Sequence, residues 1–522
     1  MSSADDTYQE NKTDVETLRP TATLETDSDS SEFLAHKLFD IPGNDSLTIK
    51  TVLVNEAIDD IGFTNYHVKL FFLNGFGYAV DSLLMLIASL TQTQILREFN
   101  YEFPILIATN YVGLFVGAIC WGVTADIIGR KIAFNLSLFL TAVFAIATGG
   151  GLSLSAVCGL SAVSTLSAGG NLIMDTTVFL EFLPSHKQWM VTLMALWWGI
   201  GQTVAALVAW PFMVNFSCPE TAEVCLRSEN MGWRYTFITL GALVLVLAIL
   251  RVTVVRLEET PKYCLANGEN GRAVEVLNRI ANKYGRVNPL TVEDLDKIDR
   301  LYPVTKEESD KVINFDRLFI HVKGLFPNKK IAYSTCLNFL SWTMIGLAYP
   351  LFNQFLPSYL QSRGAETGDG SMNTTYKNAA IVDSVSIAGP LIAAPLVQNK
   401  YLGRRGTMVI GAILTAIFMF AYTSVRNQAQ NLGFSCANSI CINIYYGTLF
   451  AYTPEVMPAQ HRATGNGLSV AFNRAMGAIA PVIAYYSDTA TAAPVYVMAA
   501  LFIGLAIVSA MFPFEPRGHS SM

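Results

Sequence analysis

The sequence predicts an all-α membrane protein of twelve transmembrane helices, arranged as two pseudo-symmetric six-helix halves. Three observations carry this prediction. The 522 residues are 52% hydrophobic and only 15% charged, with a mean hydropathy of +0.37, whereas ordinary soluble domains carry about 25% charged residues. Those few charges gather between long apolar runs, the pattern of a polytopic membrane protein. The loop Gly122-Val123-Thr124-Ala125-Asp126-Ile127-Ile128-Gly129-Arg130-Lys131 recurs in weakened form as Leu402-Gly403-Arg404-Arg405-Gly406. Glu181-Phe182-Leu183-Pro184 likewise recurs as Glu455-Val456-Met457-Pro458, at the same offset of 274 residues (403 − 129 and 455 − 181). Two matched features at one offset indicate a duplicated half.

The formal net charge of −6 owes much to the first 60 residues, rich in Asp, Glu, Ser and Thr, so it says little about partners. Residues 1–48 are expected to be a disordered acidic tail. No short apolar stretch with a cleavage site opens the chain, so the first span is expected to target the protein. Residues 49–68 form a lead-in, in which Val52, Leu53, Ala57, Ile58 and Ile61 recur with helical period. The N-terminal half covers 69–255 and the C-terminal half 331–513. The spans fall at 69–91, 104–125, 131–149, 152–182, 188–214, 233–255, 331–352, 377–398, 407–426, 433–455, 464–486 and 493–513, each near or above the ~20 residues that cross a bilayer. Helix is required, because open strands leave backbone groups unpaired in lipid. The central loop, 256–330, holds Ala273, Val276, Leu277 and Ile280, then Val292, Leu295 and Ile298, at the spacing of short amphipathic helices. Residues 514–522 form a closing tail.

Arg130, Lys131, Lys187, Lys400, Arg404, Arg405 and Arg462 share one side in very short loops. Their bias places that side, both termini and the central loop in the cytosol. Cys218 and Cys225 share an outward loop where a disulfide is chemically possible. Asn373-Thr374-Thr375 and Asn215-Phe216-Ser217 are outward sequons close to the membrane.

The G-x-x-x-D-x-x-G-R-K loop resembles the loop between helices 2 and 3 of the major facilitator superfamily of transporters, and the resemblance covers nearly everything from residue 50. Glu259-Thr260-Pro261-Lys262-Tyr263 and Tyr452-Thr453-Pro454-Glu455-Val456-Met457-Pro458 resemble sugar-porter elements after spans 6 and 10. Asn74-Gly75-Phe76-Gly77-Tyr78-Ala79-Val80-Asp81 and Gly169-Gly170-Asn171-Leu172-Ile173-Met174-Asp175 are similar to synaptic-vesicle-protein-2-like, organic-ion and phosphate transporters. Phe512-Pro513-Phe514-Glu515-Pro516-Arg517-Gly518 resembles fungal members of that branch. Ser161, Lys400 and Gln188 depart from the family pattern. The resemblance implies the major facilitator fold and a plasma-membrane location. It also implies a gate in which Arg130 and Glu181, with their repeats Arg404 and Glu455, pair across helix ends. Asp126, Glu259 and Arg462 join that gate.

Acids within the membrane are costly unless they face a wet cavity, pair with a cation or take up a proton. Asn74, Tyr78 and Asp81 share a face of span 1, as Asn171 and Asp175 do in span 4. Asp81 and then Asp175 are the proton-coupling candidates; Asp383 in span 8 sits towards the outer end. Arg474, beside Asn473 in span 11, keeps its charge and needs an anion, either a solute or one of those acids. Trp198 and Gln202, Asn338 and Trp342, and Asn443 with Tyr446 supply a polar-aromatic lining. The expected activity is proton-coupled alternating access of a small polar metabolite, an organic or inorganic anion. Facilitated diffusion, antiport and a non-transporting solute receptor are the alternatives. No P-loop, catalytic group, metal site or cofactor is read. The expected partners are a solute, protons and the bilayer, with no nucleic acid, and the working unit is a monomer.

Overall fold

The computed structural model describes residues 46–219, 225–253, 258–302, 322–362, 371–458, 461–486 and 493–516, and the regular elements there are helices. The expected acidic tail therefore lies, up to residue 45, outside the described residues. Ten helical runs are long and apolar enough to cross a bilayer: Asn65–Glu98, Ile105–Gly122, Arg130–Gly149, Leu154–Phe182, Ser185–Asn215, Gly232–Thr253, Lys329–Leu351, Met372–Gln398, Gly403–Ser424 and Arg462–Tyr486. Gln428–Val456 and Ala493–Met511 complete the expected twelve. Gln428–Val456 is long but carries Gln, Asn and Ser along its length, because part of it faces the interior cavity rather than lipid. Span numbers below refer to these twelve in order.

Span 1 runs on to Glu98, past the end at 91 that hydropathy suggests. Its polar extension is satisfied locally. The Thr91 hydroxyl donates to the Ile87 carbonyl at 2.7 Å, and Gln92 accepts from the Ile107 amide at 3.1 Å. Extending a helix costs little once its polar side chains have partners.

The repeat seen in the sequence is a repeat in packing. Span 1 packs on span 5 as span 7 packs on span 11, and span 3 packs on span 6 as span 9 packs on span 12. Between the halves, span 2 lies along span 11 and span 5 along span 8. Gly113 and Gly117 bring span 2 against span 4, where added Cβ atoms would fall 2.3 Å from Thr165 Oγ1 and 2.2 Å from the Leu166 carbonyl oxygen.

The lead-in helix, Ser46–Ile61, joins Pro261–Ala266, Asn270–Lys283 and Val292–Leu301 in a helical layer against the face that carries Arg130 and Arg404, here the basic face. Val54, Ala57, Ile58 and Ile61 bury against Cys264, Leu265, Ala273, Leu277 and Leu295. Lys50 pairs with Asp299 and donates to Asn270. Asp59 accepts from the amide and hydroxyl of Ser185, both at 2.6 Å, and so ties the layer to the loop between spans 4 and 5. On the opposite face Cys218 and Cys225 form a disulfide, beside an ion pair of Glu98 with Arg234 at 2.6 Å.

Candidate functional site

On the basic face, Arg130 donates to Glu181 at 2.8 Å and to the Thr260 hydroxyl at 2.8 Å. In the second half Arg404 donates to Glu455 at 2.6 Å. All four side chains are buried, as is Arg462. A second carboxylate serves each repeat. Glu259 accepts from the Arg130 and Lys131 amides (3.0 and 3.4 Å), while Glu515 accepts from those of Arg404 and Arg405 (2.9 and 3.1 Å). Each therefore caps the unpaired N–H groups at the start of a spanning helix, where a negative charge also favours the dipole. Gly129 (φ 97°) and Gly403 (φ 56°) turn the chain ahead of those starts. A Cβ on either would crowd the capping carboxylate, at 2.9 Å from Glu259 Oε2 and 2.6 Å from the Glu515 carboxyl carbon. Lys262, buried beside this cluster, is pushed down to about 7 by burial and by the Arg462 charge. The side chain of Asp126 lies outside the described residues.

Deep between the halves is a narrow cavity of about 60 Å³. Tyr78, Trp198, Gln202, Asn443, Tyr446, Asn473 and Arg474 line it, as the sequence suggested, with Tyr111, Tyr349 and Phe450 in addition. Arg474 of span 11 donates from Nη2 to Asp81 Oδ2 of span 1 at 2.7 Å, so the pair crosses from one half to the other. Arg474 Nε and Asp81 Oδ1 are buried with no hydrogen-bond partner. The guanidinium also stands over the Trp198 ring, 5.7 Å from its centre. Asn473 donates to the Tyr446 hydroxyl at 3.1 Å, and Tyr446 stacks on Phe450 at 5.8 Å.

Asn338 and Trp342 stand behind the wall. The Trp342 indole donates to the Thr453 hydroxyl at 2.9 Å, Thr453 donates to Asn338 at 3.2 Å, and the Trp342 ring meets Phe450 edge-on at 4.6 Å. Three other candidates lie away from the cavity, inside the first half. Asn74 donates to the Leu70 carbonyl, and Asn171 accepts from the Ser137 hydroxyl at 2.5 Å. Asp175 bonds at 2.5 Å to Arg251 of span 6, whose guanidinium also reaches the carbonyls of Phe134 and Leu73 and packs on the Phe134 ring. Ser161, where the family pattern has arginine, donates to Asn110 at 2.8 Å.

Contacts join the two halves on both sides of the chamber. On the disulfide face Tyr376 donates to the Leu90 carbonyl at 2.7 Å and Trp210 to Asn373 at 2.8 Å. Near the basic face a Cβ at Gly122 would lie 3.4 Å from Gly467 Cα, and at the level of the chamber one at Gly447 would lie 3.0 Å from Ala195 Cβ. The arrangement is a chamber between the halves with a cross-half ion pair on its wall.

A family model described as Major Facilitator Superfamily matches residues 70–481 and 331–521. The chain belongs to that superfamily. This major facilitator protein is 41% identical over 480 residues to "MFS siderochrome iron transporter 1" of Ceriporiopsis subvermispora, covering 91% of this chain and 92% of that one. It is 24% identical to "Niacin transporter NiaP" of Acinetobacter baylyi, across 82% of this chain and 88% of the relative. Among solved structures, the proton:xylose symporter XylE superposes with a TM-score of 0.66 at 15% identity, over 88% of this chain and 98% of that one. The protein is an integral, multi-pass membrane transporter of this superfamily with the twelve-helix major facilitator fold.

Proposed function

We propose that the protein carries a small, planar organic anion, such as an aromatic carboxylate, together with a proton, by alternating access. The observation that carries this reading is Arg474, a cation in an aromatic chamber whose Nε donor is unused and whose sole anionic partner in the described structure is Asp81. A carboxylate binding side-on to the guanidinium would engage that spare donor and displace Asp81. Freed of its cation inside the membrane, Asp81 takes up a proton, because a lone buried carboxylate is costly. Tyr78, Trp198, Tyr446 and Phe450 then offer faces for the planar remainder of the solute, and Gln202, Asn443 and Asn473 offer polar contacts. Asp175 is the weaker proton candidate, since it does not line the chamber and holds its own arginine.

In this reading the basic face is cytosolic, and the Arg130–Glu181 and Arg404–Glu455 pairs, each inside one half, order the helix ends that meet and part there as the halves rock. The name of the 41% identical relative favours a second cargo, an iron chelate. A chamber of about 60 Å³ with a single arginine suits a small acid better.

Uptake of labelled nicotinate, phosphate, a ferric siderophore and xylose into proteoliposomes with an alkaline lumen separates these readings. Nicotinate accumulation is expected, and Asp81→Asn should keep exchange while losing accumulation. Arg474→Lys should lower nicotinate uptake by about tenfold or more, the loss of one bidentate charged contact. Xylose uptake without carboxylate uptake would overturn the anion assignment, and nicotinate uptake indifferent to the gradient would overturn proton coupling.

A further inference from the structure

Asp383 of span 8 plays no part in the mechanism above. Among the described residues within the spans, it is the carboxylate that faces no basic group. Asp81 and Asp175 each hold an arginine, whereas Asp383 Oδ2 is buried with no hydrogen-bond partner. Its depth follows from the packing of span 8. Spans 5 and 8 are antiparallel, with Trp210 bonded to Asn373 near one end and Gly199 abutting Ser386 and Ile387 further in. That register sets Asp383 level with Gln202 and Thr203, in the seam where one half meets the other, and Gln202 lines the chamber.

Among the described residues, no neighbouring element supplies a countercharge. Span 5 has no titratable side chain from Leu196 to Asn215. In span 10, the contact of Gly389 with Ile440 and Asn443 puts Cys436 near this level, with Asn438, whose Oδ1 also lacks a donor. The Glu455 carboxylate lies far off at the basic end, bonded to Arg404. Span 1 meets span 8 through the bond from Tyr376 to Leu90; its His67 and Lys69 lie near the basic end, and its other charged groups are Asp81, Arg97 and Glu98. Each of these is engaged elsewhere, with Arg474, the Pro219 carbonyl and Arg234 respectively. On span 8 itself, Lys377 is exposed, six residues nearer the disulfide face.

Asp383 is half-buried, with Oδ2 withdrawn from solvent and no cation beside it, and an ionised carboxylate so placed is disfavoured against its neutral acid. Spans 5 and 8 belong to opposite halves, so their seam parts on the outer side when that face opens, and water then reaches the carboxyl group. We propose that closing this seam takes up one proton on Asp383, so that the occluded conformation holds the neutral acid and the outward-open one admits the carboxylate. The proton comes from the outer solution onto a carboxylate oxygen and returns when the seam reopens. The inference rests on the alternating-access part of the proposed function, and not on the cargo or on proton uptake by Asp81.

Hydrogen–deuterium exchange tests it on the full-length protein in nanodiscs without solute, over about pH 5 to 8, corrected for the intrinsic pH dependence of exchange. Peptides spanning 203–215 and 372–386 report the seam. In the wild type their protection is expected to rise as pH falls, by up to about tenfold per pH unit for one proton. Asp383→Asn should be protected and flat across the range, and Asp383→Glu should keep the slope. A flat wild-type profile overturns the proposal, as does an Asp383→Asn variant with the wild-type slope. The wild-type titration decides alone if the variants do not fold. Because no solute is present, failure of the transport reading leaves this result unchanged.

Discussion

Truncating Arg251 strands the Asp175 carboxylate in a site where both side chains are fully buried. Arg251→Met alone is expected to cost about 3–5 kcal/mol, whereas Arg251→Met with Asp175→Leu should recover most of that loss, because no unpaired charge is left. Melting of these two variants and of Asp175→Leu alone in detergent measures the coupling. Asp81, Asp175 and Arg474 were legible as charges because each interrupts a long apolar run. Arg251 was not, because it lies in the last turn of span 6, where a basic residue reads as an anchor at the membrane edge. Tyr111, Tyr349 and Phe450 escaped for another reason. An aromatic in an apolar helix has the same pattern whether it faces lipid, a neighbour or a chamber. Only the pairs with an amide one turn away, such as Trp198 with Gln202, gave a direction.

For the elements, hydropathy located the spans, but their ends were set by partners in three dimensions that a linear window does not register. Span 1 extends because its polar residues are bonded, and Gln428–Val456 was found despite a polar face because its length was sufficient. The Glu515 cap shows the same limit. Its motif carried a resemblance, yet its partner, the start of span 9, lies 110 residues earlier. Lys262 gives an element-level test of the basic face. Between about 7 and its ordinary 10.5, the unfolded chain holds a proton that the folded protein has shed. Stability should therefore rise with pH across that window and level off below it. Lys262→Met should melt higher and lose this rise, as thermal unfolding at several pH values would show.

Across the molecule, the matched repeats predicted a pairing of halves, and the corresponding helix contacts within each half repeat as that duplication implies. Nothing in the motifs distinguishes one conformation from another, since the same helices close one face and then the other. The bond from Arg474 to Asp81 has one more consequence, for membrane voltage. Empty, the chamber encloses one cation and one anion; loaded as proposed, it holds the arginine, a bound anion and a neutralised aspartate. Neither stroke moves net charge through the field, although each unit charge crossing would feel about 2.3 kcal/mol per 100 mV. Uptake driven by a proton gradient should thus run at the same rate whether a potassium diffusion potential is imposed in either direction or collapsed. A marked dependence on that potential would require another charge to travel with the cargo.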